Sequence, residues 1–451
     1  MHHLLGPRPH RSETHRPRSD RTVYIWPFPG VTPFRGPATQ AVAEWHGGLM
    51  RARTRYLSAA STAAFILMAV LPSAAVANGP APVATGLDNP RGITIGSDGA
   101  VYVAESGRGG PTLASALVEG QPAFVCLGDT GGVTRIDRNG DVRQIVDLPS
   151  FTQAFDPDGP GPIEPSCAEE MIGVAANGPT NVALLGRGTL AVTMGLGGDE
   201  EVRDQLDPAF GTLLRVLPNG KYSMLADLVA YEQANDPDGG VPDSNPYGVA
   251  IAPDGSRLVA DAGGNDLLRI HQNGSISTLA VFDPVVGAFT RPSCFDQLPP
   301  EFQAFFPPPG AVIPAQAVTT SIEIGPDGAY YVGILTGFPF ARDAADVFRV
   351  DPLTGVVTNF TGDVDLSYIT GIGFGPDGSL YVSEFTQAGL LDAEICGDQT
   401  PGAVWRIAGG AKTKVVDAPL PTDVAVGADG SVYVTVFSIL PGAGQVWMIG
   451  G

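Results

Sequence analysis

Six copies of one short pattern limit the possible folds of this chain more than any other feature of its sequence. In each copy two runs of alternating apolar residues flank a turn with glycine, as in GVAIAPDGSRLVADA (residues 248–262). Five copies have Asp-Gly in the turn, and the second has Gly-Arg-Gly. Glycine accepts a positive φ, so each copy predicts a β-hairpin. The turn glycines are Gly99, Gly188, Gly255, Gly328, Gly378 and Gly430.

A second pair of apolar runs follows most copies, as in GTLLRVLPNGKYSMLADL (residues 211–228). Four strands per unit, repeated six times, predict an all-β fold, a six-bladed β-propeller with four-stranded blades. The last unit ends after three strands, so we expect residues 81–87, just before the first copy, to add the fourth and close the ring. The whole of residues 78–451 would then be one propeller domain.

The segment before the repeats has the composition of an export signal. Residues 1–49 are rich in Arg, His and Pro, whereas Met50 is followed by three arginines, the apolar run AAFILMAVL and the small-residue site Ala75-Val76-Ala77. This order predicts a signal peptide over residues 50–77, with residues 1–49 an unstructured leader upstream of the true start. The apolar run is shorter than the roughly 20 residues that span a bilayer. We therefore expect secretion, a mature chain from about Asn78 and no membrane insertion.

The acidic balance of the exported part excludes several classes of function. Nine of the 26 Lys and Arg but only three of the 47 Asp and Glu precede residue 78, which leaves a net charge of −27. Such a surface repels nucleic acid phosphates and anionic lipids, so we expect no nucleic acid partner. His271 is the single histidine beyond residue 78, which argues against histidine-based catalysis and zinc binding. We expect the protein to be a monomer and its partner to be a small molecule, a glycan or a protein.

All the long connections belong to one face of the predicted propeller. The turns between first and second strands and between third and fourth strands are short, whereas the other connections are long. All four cysteines lie in the exported part, where disulfides are the default. Three pairings are possible, and we predict Cys126 with Cys167, around the third and fourth strands of the first blade, and Cys294 with Cys396. Long loops on a rigid scaffold often carry function.

An alternation of residue types around the ring predicts a polar site at the channel mouth. Six residues after the turn glycine, every other copy has an acid; seven residues before it, the remaining copies have a polar residue. Oxygen ligands of this kind suit Ca²⁺. The alternative is that an acid ending a strand bonds turn amides. The candidate metal ligands are Glu105, Asp261, Glu384, Asn181 and Asp423, and the candidate ligand-binding residues are Glu105, Asp261, Glu384, Asn181 and Ser321.

Two aspartate-rich loops resemble EF-hand calcium loops only in part. In DPDGPGPIEPSC (residues 156–167), a proline and a cysteine occupy places where oxygen ligands belong. The loop NDPDGGVPDSN (residues 235–245) departs similarly from the pattern. For both we favour acidic turn chemistry, in which aspartate caps backbone amides, over Ca²⁺ binding.

Several stretches resemble the ScyD/ScyE family of secreted proteins, whose copies are similar to NHL repeats. They include SNPYGVAIAPDGSRLVADAGGNDLLRI (residues 244–270) and IGPDGAYYVGILTGFPF (residues 324–340). The resemblance implies a six-bladed propeller and no particular reaction, and no catalytic residue is identified. A non-catalytic binding scaffold is the first hypothesis. The second is a calcium-dependent hydrolase, lactonase or lyase, since lactonases of the gluconolactonase and paraoxonase type hold a metal with Glu, Asn and Asp.

Overall fold

Six four-stranded antiparallel sheets form a ring in the computed structural model, which describes residues 80–118, 121–154, 167, 173–304 and 306–450. The predicted fold class, an all-β six-bladed propeller, is confirmed. The predicted leader and signal peptide lie outside the described residues. None of the helices in the described part of the chain has the length and apolar composition needed to cross a bilayer.

The blades follow one another in chain order. Blade 1 contains β2 (Pro90–Ile95), β3 (Val101–Glu105), β5 (Gln121–Ile136) and β6 (Val142–Gln153), with β4 (Thr112–Val118) added beside β5. Blade 2 contains β7 (Pro179–Gly186), β8 (Thr189–Met194), β9 (Thr212–Val216) and β10 (Tyr222–Asp227), and blade 3 contains β11 (Pro246–Ile251), β12 (Arg257–Asp261), β13 (Asp266–Ile270) and β14 (Ile276–Val281). Blade 4 contains β17 (Thr319–Ile324), β18 (Tyr330–Ile334), β19 (Val347–Val350) and β20 (Val357–Asn359), and blade 5 contains β21 (Ile369–Phe374), β22 (Leu380–Glu384), β23 (Gly402–Ala408) and β24 (Ala411–Ala418).

Blade 6 is built from both ends of the described chain. Its strands are β25 (Val424–Val426), β26 (Val432–Val436), β27 (Gly444–Ile449) and β1 (Pro82–Leu87), and β1 pairs antiparallel with β27 from Pro82 opposite Trp447 to Leu87 opposite Gly444. The predicted closure by residues 81–87 is therefore confirmed. It covers the β27 edge, which would otherwise expose unpaired backbone groups.

The Asp-Gly hairpins have longer turns than a two-residue loop. The Gly99 amide donates to the Gly96 carbonyl and the Gly96 amide to the Ala100 carbonyl, both at 2.8 Å, and Gly99 has a φ of 75°. The register is accordingly shifted by one, so that Asp261 lies opposite Pro246 rather than Gly248. With a two-residue turn, each acid would directly face the glycine seven residues before the turn glycine. In this longer turn, the acid and that glycine are neighbours offset along the strands.

Apolar residues between the sheets and threonine hydroxyls near the axis hold neighbouring blades together. Two large clusters of buried aliphatic and aromatic side chains span adjacent blades. Close to the channel, hydroxyl groups donate to carbonyls of the next blade: Thr180 to Pro246 at 2.7 Å, Thr320 to Ile369 at 2.8 Å, Thr370 to Pro421 at 3.1 Å and Thr422 to Pro90 at 2.9 Å. Each such buried hydrogen bond contributes about 1 kcal/mol.

The long connections lie where the sequence predicts them, but they hold more regular structure than expected. The connection after β3 contains β4 and the first half of β5, and the connection after β14 contains a two-stranded ribbon, β15 (Val285–Ala288) with β16 (Val312–Ala315). Four short helices lie in these connections as well: α1 (Glu200–Asp204), α2 (Leu228–Asn235), α3 (Pro300–Gln303) and α4 (Leu390–Ile395). We call the side of the ring that carries these connections the looped face.

Two disulfides crosslink the looped face. Cys126 is bonded to Cys167 and Cys294 to Cys396, with Cα–Cα distances of 5.4 and 5.5 Å. Both predicted pairings are confirmed. The second disulfide joins the connection between blades 3 and 4 to the residue after α4 in blade 5, so it ties two separate loops to each other.

Candidate functional site

The three predicted acids each end the second strand of a blade and bond the backbone just before the first strand of that blade. Oxygens of Glu105, Asp261 and Glu384 accept hydrogen bonds from the amides of Asp88 (2.7 Å), Asn245 (2.6 Å) and Ser367 (3.0 Å). One geometry therefore recurs in blades 1, 3 and 5. This is the amide-capping role that the sequence analysis named as the alternative to ligand binding.

The remaining contacts of these acids differ from blade to blade. Asp261 also accepts from the Ser244 hydroxyl at 2.5 Å and the Gly263 amide at 3.1 Å, whereas Glu384 accepts from the Trp405 indole at 2.6 Å and pairs with Lys412 at 2.9 Å. Burial raises the pKa of Glu105 and of Asp261 from their ordinary values. These contacts satisfy the carboxylates without a cation, and a metal bound by these residues stays a prediction.

The first-strand positions bring Asn181 and Asp423 together in the channel. The Asn181 side-chain amide donates to Asp423 Oδ2 at 3.4 Å, and the same oxygen accepts from the Ile93 amide at 2.9 Å. Glycine in the intervening blade makes this possible, because a Cβ on Gly92 would overlap with the Asn181 side chain. Burial raises the pKa of Asp423 to about 8.

Ser321 occupies the equivalent channel position in blade 4 beside two glycines. A Cβ on Gly248 would come within 3.0 Å of its Cα, and one on Gly333 within 2.6 Å of its Oγ. The Ser321 hydroxyl is buried and has no hydrogen-bond partner among the described residues. Ser321 therefore places an unpartnered hydroxyl beside two glycines, and its role in ligand binding stays a prediction.

Glu323 is a channel acid that the sequence analysis missed. It lies two residues after Ser321 on the same side of β17, and its Oε1 accepts from the Ile324 amide at 3.2 Å. Protein surrounds the side chain although it keeps some contact with solvent, and burial raises its pKa to about 7. The signal was present in the repeats, since the other copies have Thr94, Ala183, Ala250, Gly373 and Ala425 at this position.

A small polar cavity of about 10 Å³ lies among blades 1 to 3 on the side of the looped face. It is lined by Arg91, Ser106, Ala176, Asn177, Thr180, Asn245 and Tyr247. The buried Arg91 guanidinium donates to the Ser106 hydroxyl at 3.3 Å and to the Ala176 carbonyl at 3.2 Å, and burial lowers its pKa. A space of this size has room for about one water molecule.

Apolar residues from loops of several blades pack into a shared cluster over this end of the ring. Its buried members are Ala175, Tyr247, Ala262, Phe289, Val318, Leu335, Phe340, Tyr368, Phe385, Leu390, Leu391 and Ile439, and we call them the loop core. They come from blades 3 to 6, from the connection into blade 2 and from the long connection that carries the ribbon. Phe306 stacks on Phe289 with ring centroids 5.8 Å apart. The looped face therefore has a hydrophobic core of its own.

A second group of carboxylates lies next to Asp261 and was not predicted as a site. Glu232, Asp236 and Asp238 each place a carboxylate oxygen within 4.8 Å of the others. Two of them belong to the NDPDGGVPDSN loop, for which the sequence analysis favoured turn chemistry. Glu232 comes from α2, a helix that the repeat pattern does not predict. The available signal was the density of aspartates in residues 235–245 combined with the DAGGND segment at 261–266.

No protein-family model matches the sequence, and no curated protein matches it. Among solved structures, it is similar to virginiamycin B lyase from Staphylococcus aureus, with 14% identity over 80% of this chain and 84% of that one and a TM-score of 0.37. It is also similar to a gluconolactonase from Xanthomonas campestris (14% identity, 84% and 89% coverage, TM-score 0.33) and to the calcium-binding protein regucalcin from Agrobacterium tumefaciens (12%, 82% and 93%, 0.43). Similarities at this level carry no argument about activity.

Proposed function

We propose that the protein is an exported β-propeller scaffold of the ScyD/ScyE type, whose looped face binds a small molecule, a glycan or a protein. The observation that supports this most directly is the loop core, which joins connections from several blades into one packed unit. Loops with a core and covalent crosslinks hold one shape before a ligand arrives. A preformed surface loses less conformational entropy on binding than mobile loops do.

The ribbon supplies an exposed apolar surface on this face. Val286 lies opposite Pro314 and Ala288 opposite Val312, and all four side chains are exposed on the same side of the ribbon. Val286 is 63% exposed and Val312 is 66% exposed. On the other side of the ribbon, Gly287 packs closely on Ala341. The ribbon thus presents one apolar side while its other side is held against blade 4.

A binding screen with matched variants tests this proposal. Wild type would be screened for thermal shifts with metabolites and soluble glycans, and hits would be measured by calorimetry. We expect at least one ligand whose Kd rises tenfold or more in Val286→Asp/Val312→Asp. Leu353→Asp is the control, because Leu353 is 93% exposed in a short turn of the opposite face. Binding that is lost only in the control, or a hit that is converted to product, would contradict the scaffold proposal.

Export is the part of this proposal that intact mass can test directly. Disulfides form and persist in oxidising compartments, and the two in this structure support an extracellular location. We expect protein recovered from the medium of an expressing cell to begin near Asn78. A recovered chain that still contains residues 1–49 would show that neither the predicted cleavage nor the predicted start is used.

A metal-dependent hydrolase, lactonase or lyase acting in the channel is the second candidate. The observation in its favour is the pair of channel acids Glu323 and Asp423, whose pKa values of about 7 and about 8 suit proton transfer near neutral pH. A lactone and ester panel with and without CaCl₂ tests it. This candidate requires turnover that Glu323→Gln lowers at least tenfold; no turnover on the whole panel would reject it for these substrate classes.

A further inference from the structure

Five carboxylates from two separate segments converge at the edge of blade 3 on the looped face. The first segment is the last turn of α2 and the loop after it, and the second is the start of β13. Helix α2 ends at Asn235, and the residue that caps it, Asp236, has a left-handed backbone (φ 43°, ψ 66°) and donates its amide to the Glu232 carbonyl. We call Glu232, Asp236, Asp238, Asp243 and Asp266 the loop carboxylate cluster.

The deepest members of this cluster have no hydrogen-bond partners. Glu232 and Asp266 are both 0% exposed, and neither oxygen of either carboxylate has a partner among the described residues. Asp243 is 2% exposed and has one buried oxygen without a partner, and Asp236 has another. Burying a carboxylate without a hydrogen bond or an opposite charge costs several kcal/mol, so this arrangement calls for a compensating group.

Neighbouring acids show that the same fold satisfies carboxylates elsewhere. Asp261, also fully buried, accepts hydrogen bonds from the Ser244 hydroxyl and from backbone amides. Asp238 accepts from the Asn265 side chain at 2.9 Å and from the Gly240 amide at 2.7 Å. The unpartnered oxygens of Glu232 and Asp266 are therefore specific to the centre of the cluster.

Three of the five carboxylates, Glu232 among them, lie close enough to share one ion. Oxygens of Glu232, Asp236 and Asp238 are within 4.8 Å of one another, a separation that one Ca²⁺ with oxygens at about 2.3–2.6 Å can bridge. A Cβ on Gly264 would lie 3.0 Å from Glu232 Oε2 and 3.6 Å from Asp266 Oδ1, so both oxygens face the same glycine. The absence of a side chain at Gly264 leaves room beside them.

The charges around the cluster also favour a cation. Burial raises the pKa of Glu232 to about 9, and the charged neighbours that raise it further are Asp261, Asp238, Asp243 and Asp236. Burial likewise raises the pKa of Asp266, again with acids as the neighbours that add to it. A divalent cation would compensate several of these charges at once.

We propose that the loop carboxylate cluster is a Ca²⁺ site, with the buried Glu232 and its neighbours Asp236 and Asp238 as ligands. Asp243 and Asp266 add negative charge beside them. A donor set made only of carboxylate oxygens suits Ca²⁺ better than the small, strictly octahedral Mg²⁺. This site is separate from the predicted metal site at the channel mouth. It also goes beyond the scaffold proposal, whose loop core and disulfides include none of the five residues.

A bound ion would crosslink α2 and the loop that follows it. Asn265 extends this link to the next blade, because its side chain donates to Asp238 and accepts from the Val318 amide at 2.9 Å. Val318 is itself a member of the loop core. Calcium would therefore stabilise the looped face as well as blade 3.

Thermal unfolding and calorimetry on the EDTA-dialysed whole protein test the site with CaCl₂ alone as the probe. We expect CaCl₂ to raise the Tm of wild type in a concentration-dependent way and to bind at one ion per chain. Glu232→Gln/Asp266→Asn should raise the Kd for Ca²⁺ at least a hundredfold while keeping the side-chain shapes. Asp238→Asn, at the more exposed edge, should raise it at least threefold. MgCl₂ should give a smaller shift of the wild-type Tm than CaCl₂ at equal concentration.

Glu105→Gln/Glu384→Gln is the matched control, because it changes two acids of the predicted channel-mouth site and leaves the cluster intact. We expect its Ca²⁺ shift to equal that of wild type. A shift lost in this control and kept in Glu232→Gln/Asp266→Asn would place the ion at the channel mouth instead. No binding by wild type in calorimetry up to about 5 mM CaCl₂, beyond the roughly millimolar Kd of weak extracellular sites, would overturn the proposal and indicate a protonated cluster. If the double variant fails to fold, Asp238→Asn decides the outcome.

Discussion

Glycines along the channel leave room for the side chain of the neighbouring blade. Gly92 faces Asn181, Gly248 faces Ser321 and Gly371 faces Asp423, so each polar residue has a glycine beside it in the next blade toward the start of the chain. These three glycines have ordinary backbone conformations, in contrast to the turn glycines. Their role is therefore steric. Glycine and polar residues therefore alternate around the ring at this first-strand position for a steric reason.

At the residue scale, we expect Gly371→Ala to destabilise the protein by about 2 kcal/mol, the usual cost of forcing an extra carbon into a packed interior. Its Cβ would overlap with the Asp423 carboxylate and come within 2.5 Å of the Asp423 Cα. Gly337→Ala is the control, since its Cβ would meet its nearest neighbour at an ordinary 3.4 Å. Urea unfolding of both variants checks this, and equal midpoints would show that blade 6 yields to the extra carbon.

Glu323 should make stability depend on pH. Its folded-state pKa of about 7 lies above the ordinary 4.5, so the folded protein holds this proton to higher pH than the unfolded chain does. The resulting stability is complete below about pH 4.5 and is lost as the pH rises through about 7. When the pH rises from 5 to 8, the free energy of unfolding of Glu323→Gln should therefore increase relative to that of wild type by on the order of 2 kcal/mol, at about 1.4 kcal/mol per pKa unit.

Urea unfolding of wild type and Glu323→Gln at the two pH values measures that difference. The exposed Asp363 provides the control Asp363→Asn, which should follow wild type at both. If the free energy of unfolding of Glu323→Gln changed with pH as much as that of wild type does, water in the channel would be hydrating this carboxylate.

At the scale of elements, repeated strands were predictable from the sequence and unique connections were not. Each strand of a blade recurs six times with the same alternation of apolar residues, so the prediction of a strand in one copy is supported by the other copies. Helix α2 occurs once, in a connection without periodic apolar residues, and the strand β4 belongs to a segment rich in glycine. Glu232 reaches the loop carboxylate cluster only because α2 forms. From the sequence alone, the aspartates of residues 235–245 therefore predict turns. The carboxylate cluster becomes visible only in the structure, where α2 brings Glu232 to them.

The two disulfides should contribute unequally to stability. Their sequence separations are 41 residues for Cys126–Cys167 and 102 residues for Cys294–Cys396. In the chain-entropy model these loops correspond to about 3.9 and about 4.7 kcal/mol, respectively. We expect Cys294→Ser/Cys396→Ser to lower the Tm more than Cys126→Ser/Cys167→Ser. Scanning calorimetry under non-reducing conditions measures both, and the reverse order would show that native contacts outweigh loop length.

At the scale of the whole molecule, ring closure depends on a single strand from the other end of the chain. A chain that begins at residue 88 lacks β1 and should leave the β27 edge unpaired. We expect a lower Tm and concentration-dependent association through that edge, compared with a chain that begins at residue 78. Calorimetry and sedimentation velocity test this. A monomer of unchanged Tm would mean that blade 6 is stable with three strands.

The antiparallel pairing of β1 with β27 also fixes how the molecule responds to mechanical load. Pro82 lies opposite Trp447 and Leu87 opposite Gly444, so the two described chain ends leave blade 6 at the same end of this strand pair. A force that pulls those ends apart acts on the outermost hydrogen bonds first and separates the pair one bond at a time, like a zipper. Blade 6 would therefore open at a low pulling force. Blades 2 to 5 would bear none of that force until β1 has separated from β27.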